Sequence, residues 1–208
     1  YRHELEDRGH HFRSHCDTET ILHLYEEYGI EATLNRMNGM FAFGLWDQKK
    51  QTLVLARDRV GKKPLYYTHL PDGSLLFASE IKALMESGLI DRGRLDLTGL
   101  DQFWRFGFTI GARTVFQDIR RLEAGQYMTW SDARIQIKTY WDCPFGIEPA
   151  ADKPIDQWAD ELEELLADAI RIRDAGRVVE YGPRVQLAAD PTSRWSAKLR
   201  CAGRWPNR

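Results

Sequence analysis

Four short strand-like runs follow one another closely in the first half of the sequence, and they constrain the fold more than any other feature. Residues 40–46 form a dense apolar and aromatic run, of the kind that is buried on both faces of a sheet. Residues 52–56, 65–69 and 75–78 follow after polar or turn-forming residues, and the sequence PDG at 71–73 is a strong hairpin signal. The chain is therefore expected to be rich in β-sheet.

Helical patterns surround these runs. They are predicted over residues 17–28, 30–36, 79–87 and 97–106. Asp17 is a good N-cap for the first of them, Gly29 is a plausible end, and Asp96 is a suitable cap for the last. Two more strands are expected at residues 126–130 and 135–140, so the segment as a whole reads as an α+β domain.

The composition changes along the chain and predicts four segments. These are the α+β domain at 1–142, a linker at 143–154 with three prolines, a long amphipathic helix at 155–173 and a tail at 174–208. The tail has six arginines and no sustained periodicity. It fits either a basic binding tail or a stretch outside the fold, such as out-of-frame translation, and the second interpretation is favoured.

Charge and cysteine content exclude several classes of protein. With 29 basic and 31 acidic residues the formal charge is −2, and no basic patch points to nucleic acid. No apolar stretch approaches the roughly 18 residues of a membrane span. The odd, widely spaced thiols Cys16, Cys143 and Cys201 favour a reducing compartment and hence the cytoplasm.

Two groups of residues could carry chemistry. His10, His11 and His15, with His3 nearby, could bind a metal, but a polar loop is the favoured interpretation and no metal is expected. Residues 57–59 (RDR) could be catalytic by composition. A buried ion-pair cluster that holds a loop at a strand end is favoured for them, with Glu80 as a helix cap or a packing partner.

Several segments, in the right order, resemble one family. They are HCDTETILHLYEEYG at 15–29, MNGMFAFGLWD at 37–47, ARDRVGKKPLYY at 56–67, FASEIKAL at 77–84, and the TVF…GQY…YW residues between 114 and 141. They resemble the glutamine-dependent asparagine synthetases over roughly residues 1–173. Ordered multi-residue matches of this kind are a far stronger signal than a single glycine motif.

The resemblance implies a class II glutamine amidotransferase domain with the four-layer α/β/β/α sandwich of N-terminal nucleophile hydrolases. In that family an N-terminal Cys attacks glutamine, with its own α-amino group as base. The ammonia reaches aspartyl-AMP in a second domain and yields asparagine, glutamate, AMP and pyrophosphate. Glutamine, aspartate and ATP are the implied substrates. Complete members of the family bind ATP and Mg²⁺, but no cofactor is expected for this chain. A homodimer is compatible with the family.

The sequence departs from the family at both ends. The first residue is Tyr1 and not the nucleophilic Cys of the family. No two glycines are adjacent in the sequence, so the Ser-Gly-Gly-x-Asp-Ser pyrophosphate loop is missing. A fragment, truncated at the front and diverted after residue 173, is therefore expected, with no catalytic residue and no activity of its own. Residues 155–173 match the first helix of the ATP pyrophosphatase domain.

The resemblance assigns one substrate contact. Asp17 matches the aspartate that pairs with the α-ammonium of glutamine, so we expect it to be both an N-cap and a binding residue. Arg57, Asp58 and Glu80 are expected to be structural residues near that site. Cys16 is not expected to be a nucleophile, because an internal Cys lacks the free amine. A non-catalytic glutaminase-like binding module, or the amidotransferase of another amide-forming ligase, remains the alternative.

Overall fold

The computed structural model describes residues 1–143, 153–175 and 187–189. The helices in these ranges are α1 (Arg2–Asp7), α2 (Asp17–Arg36), α3 (Ile81–Met85), α4 (Leu97–Phe106) and α5 (Ile155–Ala175). The strands are β1 (Ala42–Asp47), β2 (Thr52–Arg57), β3 (Tyr66–His69), β4 (Leu75–Ala78), β5 (Arg120–Arg121), β6 (Gln126–Ser131), β7 (Arg134–Thr139) and β8 (Leu187–Ala189). The fold is α+β.

The strands form two antiparallel sheets, with the orders β1-β2-β6-β7 and β5-β3-β4-β8. The predicted hairpin joins β3 to β4. Its turn is closed by the Leu70 amide, which donates to the Ser74 carbonyl at 2.8 Å. Gly73 takes a φ of +87°, a conformation that glycine adopts without steric cost. The local turn signal therefore predicted this part of the fold correctly.

Alternate residues of the central strands enter different core clusters, as the two-residue period of a strand requires. On β2, Leu55 packs in a cluster that also contains Phe77 of β4, whereas Val54 packs in a cluster with Leu34 of α2. On β4, Leu76 packs in a third cluster with Leu84 of α3. The clusters thus join the two sheets to each other and each sheet to a helix.

β1 differs from its prediction. The apolar run at 40–46 was expected to be buried on both faces, but within the strand only Leu45 is buried. Among the described strands β1 pairs with β2 alone and is therefore the end strand of its sheet. The side chains of an end strand have neighbours on one side only, so Phe43 and Trp46 pack on the core but stay half-buried.

The predicted break at Gly29 is confirmed. The helical residues of α2 are interrupted there by a φ of 74° and a ψ of 175°. The prediction of Asp17 as the N-cap is wrong: Cys16 occupies the cap position, with extended backbone, and Asp17 is the first helical residue. α4 begins as predicted, because the Asp96 side chain accepts a hydrogen bond from the Gly99 amide at 3.0 Å.

α5 extends over the predicted helix, and four of its apolar side chains are exposed: Trp158, Leu162, Leu165 and Leu166. Most of the predicted linker, and most of the predicted tail at 174–208, lie outside the described residues. In the tail, β8 pairs with β4 along Leu187–Ala189. None of the helices in the described ranges is long and apolar enough to cross a membrane.

Candidate functional site

Asp17 presents an exposed carboxylate at the N-terminus of α2. Its Oδ1 lies 3.5 Å from both Cys16 Sγ and Thr18 Oγ1, and these are neighbours in sequence. The first turn of a long helix favours a negative charge, because its free amides and the helix dipole both point there. The carboxylate is therefore placed to bind a cationic group from solvent.

Glu19 holds the loop that leads into α2. Its carboxylate accepts hydrogen bonds from the amides of Arg13 and Ser14, both at 2.7 Å, and from Ser14 Oγ at 2.6 Å. These bonds, led by the one from the Arg13 amide, lower the pKa of Glu19 to about 2. Because Glu19 fixes the loop, the side chain of Asp17 is not needed for that role.

Arg57 is 8% exposed and binds three backbone carbonyls at the end of β2. Its guanidinium donates to Lys63 O and Leu122 O at 2.7 Å each, and to Gly61 O at 2.5 Å. Burial, followed by the nearby charge of Arg121, lowers the pKa of Arg57. Gly61 has a φ of +66°, and a Cβ there would meet the guanidinium at 3.0 Å. The arginine is therefore built into the loop that follows β2.

Asp58 is fully buried and holds the same loop from its other side. Its two oxygens accept hydrogen bonds from the amides of Lys62 and Lys63 at 2.8 and 2.9 Å. The expected loop-holding role of Arg57 and Asp58 is seen, but the expected ion pair is not. Each side chain uses its polar atoms on backbone groups, and no ion pair joins the two within the described part of the chain.

A cavity of about 320 Å³ opens beside Arg57, and Arg121 and Glu123 complete its charged lining. Arg121 is fixed by bonds to Thr109 O at 2.7 Å and Gly111 O at 2.6 Å. The lining thus combines one carboxylate with two guanidinium groups that are already bonded to backbone carbonyls. Sequence reasoning missed Arg121 and Glu123, because the stretch that carries them matches no pattern with a stated role.

Glu80 lies apart from these groups. It occupies the cap position of α3 as expected, but its side chain is exposed and makes no capping bond. Within the described residues, no hydrogen bond or ion pair joins Glu80 or Asp17 to Arg57 or Asp58. The structure therefore brings Arg57 and Asp58 together, and it leaves Asp17 and Glu80 at the starts of two separate helices.

The histidines separate as well. His11 and His15 are exposed, whereas His10 packs against His23 and Glu26 of α2. Sequence reasoning missed His23 and Glu26. The available signal was their three-residue spacing, which places both on one face of a helix.

Comparison with known proteins shows where the chain belongs. The family model described as "Glutamine amidotransferase domain" matches residues 1–141. Asparagine synthetase [glutamine-hydrolyzing] 3 of Bacillus subtilis is 39% identical over 142 residues, covering 68% of this chain and 23% of the relative. Asparagine synthetase [glutamine-hydrolyzing] 1 of the same organism is 36% identical over 170 residues, covering 81% of this chain and 25% of the relative.

Other relatives carry different names. Amidase chyE of Penicillium rubens is 35% identical over 159 residues, covering 76% of this chain and 23% of the relative. Among solved structures, the chain aligns with glutamine phosphoribosylpyrophosphate amidotransferase from B. subtilis, complexed with ADP and GMP, at 20% identity and a TM-score of 0.44. The alignment covers 67% of this chain and 26% of the amidotransferase chain. The chain spans about a quarter of the length of the asparagine synthetases that it matches.

Proposed function

The chain belongs to the glutamine amidotransferase domain family, and from this premise we propose that residues 1–142 are the glutamine-binding part of an ATP-dependent asparagine synthetase. The complete enzyme hydrolyses glutamine and transfers the ammonia to aspartyl-AMP, giving asparagine, glutamate, AMP and pyrophosphate. The two similar B. subtilis proteins named as glutamine-hydrolysing asparagine synthetases support this assignment.

Asp17 binds the α-ammonium of glutamine in this proposal. The observation that carries it is the exposed carboxylate at the first helical residue of α2, left without a capping role. An ammonium group placed there pairs with a charge that the helix dipole already favours. Glu19, which fixes residues Arg13 and Ser14, keeps the start of α2 in place.

The proposed fold is the four-layer α/β/β/α sandwich of N-terminal nucleophile hydrolases. Three core clusters support it: one drawn from both sheets, one from α2 with the sheet that contains β2, and one from α3 with the sheet that contains β4. None of the internal cysteines supplies the nucleophile, because the family mechanism needs a free α-amino group on the same residue.

The second half-reaction belongs to a further domain, for which α5 is proposed as the first helix. ATP, Mg²⁺ and aspartate are substrates or ligands of that domain, and no residue of the described chain is assigned to them. The sequence contains no adjacent glycines, so it lacks the pyrophosphate loop that the family uses to hold ATP.

The role of Asp17 is tested by comparing two ligands. L-Glutamine carries the α-ammonium, whereas 4-carbamoylbutanoate is the same molecule without it. Isothermal titration of the chain should show that glutamine binds about three- to tenfold more tightly than 4-carbamoylbutanoate. This is the difference in affinity expected from one ion pair that is exposed or partly exposed to solvent. Asp17→Asn should abolish this preference.

The matched control is Asp132→Asn, the same chemical change at an exposed turn residue. Its φ of 47° is one that asparagine tolerates well. The control should keep the preference for glutamine. A preference unchanged in Asp17→Asn, or absent from the unmodified chain, would contradict the role assigned to Asp17.

A second candidate function is an amidotransferase that serves a different amide-forming ligase. The similarity to Amidase chyE favours it, since that protein aligns over 76% of this chain without being named an asparagine synthetase. The two candidates share the glutamine site and differ only in the acceptor of ammonia. Assay of the complete enzyme with glutamine, ATP and aspartate separates them: asparagine formation supports the first candidate, and glutamate release without asparagine supports the second.

A further inference from the structure

Three side chains converge beside the N-terminal half of α2, away from Asp17. His10 Nδ1 lies 3.1 Å from His23 Nδ1, and His23 Nδ1 lies 3.0 Å from Glu26 Oε2. The third separation, from His10 Nδ1 to Glu26 Oε2, is 3.7 Å. Both imidazoles are largely buried, with 16% of each side chain exposed, so the contact lies between packed rings.

The hydrogen bonds around His10 place a lone pair in this contact. Its Nε2 lies 3.2 Å from Glu27 Oε2, and Arg8 holds the same carboxylate through a 2.7 Å bond to Oε1. An ionised carboxylate paired with arginine can only accept, so His10 donates its proton from Nε2. The neutral ring then presents an unprotonated Nδ1 to His23 and Glu26.

A single proton on His23 Nδ1 cannot make good hydrogen bonds to both of its neighbours in this contact. His10 Nδ1 and Glu26 Oε2 are both acceptors, and a single N–H on His23 Nδ1 would have to serve both at once. His23 Nε2, on the far side of the ring, is buried and makes no hydrogen bond within the described residues; Glu19 Oε1 lies 3.8 Å away. If the proton moves to Nε2, it points towards Glu19 and leaves a lone pair at Nδ1.

The distances fit a tetrahedral metal ion. A triangle with sides of 3.0, 3.1 and 3.7 Å has its centre about 1.9 Å from each corner. A zinc ion bound at about 2.0–2.1 Å would therefore lie about 0.7 Å out of the ligand plane, close to the position it takes above one face of a regular tetrahedron. The fourth position would lie on the far side of the ion from that plane.

We propose that His10, His23 and Glu26 form a zinc site. Two imidazoles and one carboxylate are ligands that Zn²⁺ accepts, and Glu27 behind His10 supplies the outer carboxylate that typically orients a ligating ring. The ion joins the loop after α1 to α2. Since His23 lies six residues after Asp17, the site is about 9 Å along the helix from that carboxylate. The inference does not depend on the proposed function.

Zinc titration of the untagged 208-residue chain tests the proposal, because a histidine tag would itself bind the metal. Calorimetry should give one equivalent of Zn²⁺ with micromolar or tighter affinity. Co²⁺ in place of zinc should give the visible absorption of a four-coordinate ion. His23→Gln and Glu26→Gln should each weaken binding by at least about tenfold.

His11→Gln is the matched control, because His11 is exposed and adjacent to the proposed ligand His10. It should bind zinc like the unmodified chain. Thermal unfolding gives a second readout: zinc should raise the Tm of the unmodified chain and of the control by several degrees, and leave Glu26→Gln unchanged. Because Glu26 is exposed, its substitution should not prevent folding. Absence of stoichiometric binding, or equal binding by all four proteins, would overturn the proposal.

Discussion

Replacement of Arg57 by methionine should test how much the loop after β2 depends on one buried cation. The change keeps an unbranched apolar stem, shortens the side chain and removes its three donor nitrogens. Those donors now bind Lys63 O, Leu122 O and Gly61 O at 2.5–2.7 Å. The variant Arg57→Met leaves all three carbonyls without these partners.

The expected loss of stability is about 3–5 kcal/mol. A hydrogen bond to a charged group contributes about 1.5–3 kcal/mol, so three of them set an upper range of about 5–9 kcal/mol. Two effects reduce the loss. Methionine removes the desolvation of the guanidinium, which already lowers the pKa of Arg57, and water from the adjacent cavity can reach the carbonyl of Gly61, which lines it. The carbonyl of Leu122, in a fully buried residue, retains the full cost.

Urea unfolding followed by circular dichroism measures the effect, and Arg59→Met is the matched control. Arg59 is two residues away and half-buried, and among the described residues it makes one bond, to Asn35 O at 2.9 Å, which is exposed to solvent. Its replacement should cost about 1.5 kcal/mol at most, the low end of the range for one bond to a charged group. The Tm of Arg57→Met should fall by about 10–15 °C. If the two variants are equally stable, the three carbonyl bonds do not hold the loop and the reasoning is wrong.

Two further substitutions test the packing. Gly99→Ala should destabilise the protein by at least about 2 kcal/mol in urea unfolding, despite alanine's helix propensity, because its Cβ would overlap Thr114 O. Equal stability would contradict the close approach of α4 to Thr114. Burial raises the pKa of Tyr140 to about 12, so the folded state favours the neutral phenol. The stabilisation that this phenol contributes is lost as the pH rises from 10 to 12. Tyr140→Phe should therefore lose less stability over that pH range than the unmodified chain. Parallel pH profiles for Tyr140→Phe and the unmodified chain would refute this assignment.

Local signals predicted the elements whose causes are local. The hairpin between β3 and β4, the cap at Asp96 and the break at Gly29 each depend on residues within a few positions, and each is confirmed. The cap at Asp17 failed for a related reason. Glu19 binds the loop before the helix through two amides, and the helix starts one residue earlier than the cap preference of Asp17 predicts, with Cys16 at the cap position.

The histidine cluster shows where local signals end. His23 and Glu26 lie on one face of α2 and could be paired from sequence alone. The third member, His10, comes from a loop 13 residues earlier, and its position depends on the path from α1 to α2. The sequence analysis grouped His10 with its neighbours His11 and His15 instead, and the fold leaves those two exposed.

The ion pair expected between Arg57 and Asp58 fails for a reason that applies to any strand end. Successive side chains on an extended backbone point to opposite sides, so adjacent residues of opposite charge point apart. Here both reach the same residue from two directions: Arg57 donates to Lys63 O, and Asp58 accepts from Lys63 N. The charges therefore clamp the two peptide groups that flank Lys63 and fix the loop between β2 and β3. Arg57 and Asp58 accordingly hold this loop, and the proposed function assigns the binding of glutamine to Asp17 instead.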